Sequence, residues 1–150
     1  MKLIVQRVLK AKVLRRTQDK SLEVVGEIGK GLFVLFGVKK GDTVKDAEAG
    51  ANKLFKLRVM SDDGDKMNLS VNDVKGKFLV VSQFTLYADT SGGNRPSFVN
   101  AALPEDAKKI YEYFIEKLKS LGAIVATGSF GDYMQIETVL DGPVTIIYSE

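Results

Sequence analysis

The chain contains no histidine, no cysteine and no tryptophan, and only 3 prolines. The lack of cysteine excludes a disulfide framework, thiolate nucleophiles and thiolate-bound zinc. The lack of histidine removes the usual imidazole base and argues against a catalytic zinc site. No metal and no cofactor is therefore expected. Long apolar runs are also missing: nothing approaches the roughly 20 residues a bilayer requires, and the opening MKLIVQRV is broken by Gln6 and Arg7. The expectation is a soluble, cytoplasmic protein without a membrane partner. Charge of one sign is scarce too, with Lys+Arg 22 against Asp+Glu 19 for a net +3. So small an excess is compatible with a nucleic-acid partner but more often belongs to an ordinary solvated surface.

What is present is enough apolar material for one core. With 150 residues and 45% hydrophobic content, residues 1–150 are expected to form a single domain. Residues 2–14, KLIVQRVLKAKVL, read as a strand, and LEVVGEI and GLFVLFGV as a second and third. The glycines in GEIGKG have neither dinucleotide-loop nor Walker spacing and are read as turn and bulge glycines. From Asp42 to about Arg58 the period becomes helical, with Thr43 as cap and Asp46 three residues on. SDDGDK lacks the full calcium-loop order and is read as a solvated turn. KFLVVSQFTLYAD is the most apolar strand and is expected to be central. A second helix starts at Pro104 and is ended by Gly122, burying Ala107, Ile110, Tyr111, Phe114, Leu118 and Leu121. AIVATG, YMQIETVL and PVTIIYS then read as three short strands. The fold class is mixed α/β, layered β-sheets with two packed helices and mainly local hairpins.

Two stretches exceed simple structural needs. In VVSQFTLYAD, Ser82, Gln83 and Thr85 place amide and hydroxyl groups beside Phe84 at the end of an apolar run. Alternate residues facing solvent would explain them, yet they also suggest a reactive site lacking its base. In LDGPVT, residues 140–145, Gly-Pro before a strand is ordinarily a turn.

Taken in order, SQFTLYAD at 82–89, GNRPSF at 93–98 and DGPVT at 141–145 resemble the D-aminoacyl-tRNA deacylase family. QRV at 6–8, VVGEIGKGL at 24–32, GVKKGD at 37–42, KMNLS at 66–70 and FGDYMQIE at 130–137 extend the likeness over essentially the whole chain, with an additional polar turn around 15–21. The resemblance implies the corresponding fold and an enzyme that hydrolyses the ester of D-aminoacyl-tRNA, with mischarged glycyl-tRNA as a further substrate, while sparing L-aminoacyl-tRNA. It implies a homodimer in which Gly142 and Pro143, joined by a cis bond, enter the partner's pocket and reject L side chains, helped by Arg7. It places Ser82, Gln83, Phe84 and Thr85 around the scissile ester and Phe130 and Met134 against the adenine. It further implies that the tRNA 2′-hydroxyl assists the reaction, leaving Thr85 to position substrate rather than act as nucleophile. Aminoacyl-tRNA, not DNA, is the expected partner. One position departs from the family's Asn-Xaa-Gly-Pro-Xaa-Thr: Leu140 stands where the Asn is usual and cannot hydrogen-bond, which puts stringency in question. A binding module without turnover and a plain dimerisation domain are the alternatives.

Overall fold

The computed structural model describes residues 1–149. Eight strands and two α-helices follow one another as β1 (Lys2–Arg16), β2 (Leu22–Ile28), β3 (Gly31–Gly37), α1 (Val44–Phe55), β4 (Met60–Ser61), β5 (Met67–Leu69), β6 (Lys77–Ser82), α2 (Pro104–Ser120), β7 (Val125–Thr127) and β8 (Met134–Ser149). A short 3-10 helix, Phe84–Tyr87, lies between β6 and α2.

β1 organises the sheet because it is long and changes partner midway. It pairs antiparallel with β3 over Lys2–Val8 and with β2 over Ala11–Arg16, while β8 runs antiparallel to it from Lys2 to Arg15. β3, β6 and β7 then continue in parallel, so the apolar run of β6 is internal as expected. Hairpins account for β2 and β3, but the two parallel pairings are crossovers rather than local turns. The sheet curls enough to bring β2 against β7: a Cβ on Gly26 would meet the Thr127 carbonyl oxygen at 2.2 Å, so only glycine permits the approach.

One apolar cluster fills the space between sheet and helices, with Leu3, Val5, Phe36, Leu54, Phe114 and Leu118 almost fully enclosed. A second cluster, including Val8, Val13, Phe33 and Leu79, occupies the other face. α1 begins with the predicted capping box: the Lys45 amide donates to Thr43 Oγ1 at 3.3 Å and the Thr43 amide to Asp46 Oδ2 at 2.6 Å. α2 begins at Pro104 with Glu105 and Asp106 in its first turn and buries Ile110, Tyr111, Phe114, Ile115 and Leu118. The Lys117 ammonium donates to Glu48 Oε1 at 2.7 Å and clips the two helices together.

Two expectations need correction. The apolar strand does not run to Asp89 but stops at Ser82, because Gln83 leaves the ladder and Phe84–Tyr87 coil into 3-10 geometry. YMQIETVL and PVTIIYS are not separate strands; β8 spans both and the Gly-Pro step is a bulge inside it, because β1 pairs on either side of it. SDDGDK is the solvated turn expected, joining β4 to β5, with Asp62 Oδ1 accepting from the amides of Gly64 and Lys66.

Candidate functional site

Where β6 ends, a pocket of about 650 Å³ opens between the strand end, the chain from Phe98 to Pro104, α2 and the segment before β8. Ser82, Gln83, Phe84, Phe130 and Met134 all line it. Thr85 does not reach the lining; its hydroxyl accepts from the Gln83 side-chain amide, so it orients Gln83. The walls are otherwise mostly apolar, as small-molecule sites commonly are.

The backbone at the strand end is arranged for acceptance of charge. The Gln83 amide donates to the Phe36 carbonyl at 2.8 Å and is therefore occupied. The first hydrogen bond of the 3-10 helix runs from the Leu86 amide to the Gln83 carbonyl at 3.3 Å, leaving the amides of Phe84 and Thr85 ahead of it without backbone acceptors among the described residues. Lys2 secures this turn from behind, donating to the Leu86 carbonyl at 3.0 Å with its ammonium 4.9 Å from the centroid of the Tyr87 ring. Burial, followed by the charge of Asp42, raises the Tyr87 phenol to about 12.

Phe130 leans on Tyr111, with ring centroids 5.8 Å apart, and Met134 receives the Ser129 amide on its sulfur at 3.3 Å. Tyr111 belongs to the site although its helical spacing assigns it only to the core. Its hydroxyl donates to the Val80 carbonyl at 2.8 Å, and burial pushes the phenol well above its usual range. The one polar-tipped residue in an otherwise apolar stripe is the sequence signal for it. The apolar wall at Phe98–Leu103 and the cation Lys40 on the lining had no sequence signal.

Arg7, Gly142 and Pro143 form a separate constellation, none of them on the pocket lining. Opposite Arg7 the β1–β8 register jumps from Leu140 to Thr145, so Asp141–Val144 bows out of the ladder. The Gly142–Pro143 bond is cis, and Gly142 has φ +122°. The buried Arg7 guanidinium holds this bulge: Nε donates to the Asp141 carbonyl and faces its carboxylate, both at 3.2 Å. Its Nη1 donates to the Val59 carbonyl at 2.9 Å and to Ser61 Oγ at 3.3 Å, tying the bulge to the β4–β5 hairpin. Leu140, just before the bulge, is exposed.

Fold and pocket thus define a mixed α/β protein whose strand-end site offers amides, hydroxyls and aromatic faces in place of an imidazole or thiolate. The family model described as D-Tyr-tRNA(Tyr) deacylase matches residues 4–149. D-aminoacyl-tRNA deacylases of Thermosipho melanesiensis and Variovorax paradoxus are 50% and 51% identical, over 98% and 97% of this chain and 95% and 97% of theirs. A solved structure described as the c-Myc DNA Unwinding Element Binding Protein superposes with a TM-score of 0.91 at 38% identity, covering 100% of this chain and 99% of its own. A probable eukaryotic D-amino acid tRNA deacylase shares the fold at a TM-score of 0.81 and 14% identity, covering 98% of this chain and 97% of its own. The chain belongs to the D-Tyr-tRNA(Tyr) deacylase family, an enzyme family of hydrolases.

Proposed function

We propose that residues 1–150 act as a single cytoplasmic deacylase domain that hydrolyses the ester between a D-amino acid and the 3′-terminal adenosine of tRNA, with glycyl-tRNA as a second substrate. The observation that carries this reading is the pocket chemistry: an open amide at Phe84 beside Ser82 and Gln83, in a chain with no histidine and no cysteine. Water adds to the ester carbonyl carbon, and the carbonyl oxygen becomes an oxyanion facing the Phe84 amide, a donor worth about 3–4 kcal/mol in comparable hydrolases. Collapse breaks the bond to the ribose oxygen, which leaves with a proton. The neighbouring 2′-hydroxyl of the substrate assists the proton traffic that a histidine would otherwise carry. Thr85 orients Gln83, and Phe130 and Met134 take the adenine by stacking and soft apolar contact. RNA is the nucleic acid this reading requires, since DNA lacks the 2′-hydroxyl.

Chirality is read by a second copy, whose Gly142–Pro143 bulge enters the pocket, held in position by Arg7. Two features support the arrangement. The bulge and the pocket of one chain share no residue. β8 pairs only with β1 among the described residues, and Val139, Leu140 and Ile147 leave apolar surface along it. Backbone that cannot yield rejects the L side chain by collision. The experiment is release of D-tyrosine and L-tyrosine from charged tRNA by the purified protein. Release of the D form alone is expected; no release of the D form refutes the reading.

A further inference from the structure

Beyond the adenosine pocket, Tyr133 stands on its rim three positions after Phe130, with 58% of its surface open. The guanidinium of Arg16 lies over its ring, 4.0 Å from the centroid. The pair is fixed by backbone: the Arg16 amide donates to the Tyr133 carbonyl at 2.9 Å. The turn that follows Arg16 is locked as well, with the Thr17 amide donating to the Ser21 carbonyl at 2.9 Å and the Ser21 amide to Asp19 Oδ1 at 3.0 Å. The adjacent Arg15 is neutralised, with Glu23 at 2.8 Å and Asp132 at 3.6 Å. Arg16 has no carboxylate partner among the described residues.

An exposed aromatic ring carrying an uncompensated guanidinium has no role in the core, yet it matches what single-stranded nucleic acid asks of a protein: a surface for a base and a cation for the phosphate beside it. We propose that Tyr133 and Arg16 form a second nucleotide subsite, which takes the penultimate nucleotide of a single-stranded RNA 3′ end. The base stacks on Tyr133 and Arg16 meets the phosphate. The inference rests on the deacylase reading of the pocket, because a terminal adenosine held at Phe130 and Met134 sends the next nucleotide out over this rim. Stacking of this kind tolerates any base, so the subsite adds affinity without sequence preference.

The test compares the D-aminoacyl ester of adenosine with the same ester on a dinucleotide ending in adenosine. The wild type is expected to favour the dinucleotide in KM, and Tyr133→Ala to reduce that advantage about tenfold, within the usual range for one stacked base. Tyr133→Phe keeps the ring and is expected to keep the advantage. Arg16→Ala is expected to lower the salt slope of dinucleotide binding by about one. A wild type indifferent to the second nucleotide, or an unchanged advantage and slope in Tyr133→Ala and Arg16→Ala, overturns the subsite. Anisotropy titration of a fluorescent, uncharged RNA ending in CCA makes the same comparison without turnover. If neither ester is hydrolysed, the deacylase reading fails, and the titration still decides whether the subsite exists.

Discussion

At Asp141–Val144 the chain is pinned by a buried guanidinium that donates to two carbonyl oxygens and a hydroxyl and faces a carboxylate. At Ser82–Tyr87 it is partly or largely exposed, and the amides of Phe84 and Thr85 have no backbone acceptors among the described residues. The first region is held in place by internal partners, and what it presents is a fixed shape. The second keeps donors unspent, which is what a charge developing on a substrate needs. On the proposed reading rejection and reaction are separated: one calls for backbone that cannot move, the other for groups not yet engaged.

Variants that unpin the rigid region should have the largest effects. Arg7→Ala leaves the Asp141 carboxylate and the Val59 carbonyl without their cation, and is expected to cost about 3 kcal/mol, near the lower end for breaking a buried pair because Asp141 is partly exposed. Urea unfolding with an unchanged slope would measure it, and discrimination between D and L esters should fall with it. Gly142→Ala places a Cβ 3.0 Å from Val144 Cγ2 and 3.1 Å from Arg7 Nη2, at φ +122°. A cost of about 2 kcal/mol is expected in the same assay.

A third variant serves as reference, because it lies in neither region. Thr43→Ala removes the cap of α1 and should cost about 1 kcal/mol while leaving the ratio of D to L turnover alone. Hydrogen bonds from the Thr43 amide and then its hydroxyl hold the Asp46 carboxyl below its ordinary 3.8. A depressed folded value means that this contribution is fully present above 3.8 and is lost as pH falls through the lower folded value. The difference in thermal midpoint between wild type and Asp46→Asn should therefore narrow on acidification below pH 4. The smallest effect is expected for Leu140→Asn. Its side chain is exposed and precedes the bulge without bracing it, so D-aminoacyl hydrolysis should stay within a few-fold; a large gain would mean that the natural bulge lacks support.

The same contrast explains how much the sequence could tell. Local signals were legible: Thr43 and Asp46 marked the start of α1, and Pro104 that of α2, because caps and helical period depend on neighbours in the chain. The Gly-Pro step was read as a turn because its context is nonlocal. Only pairing with β1 on both sides reveals it as a bulge in one strand. Likewise the polar residues after Val81 read as a continuing strand, since nothing local announces that the Leu86 amide turns back to the Gln83 carbonyl. Ser82, Gln83, Phe84, Phe130 and Met134 were grouped through family likeness, and they line one pocket. Thr85 was included with them, but it faces Gln83 rather than the cavity. The helical position of Tyr111 assigns it to the core, and only the fold aims its hydroxyl at Val80.

The most direct test of a site that relies on its substrate for the missing base is deacylation of D-aminoacyl-tRNA ending in 2′-deoxyadenosine. Loss of turnover with retained binding is the expected result. Turnover equal to that of the ribose substrate would contradict it and return the reaction to a protein hydroxyl such as Thr85.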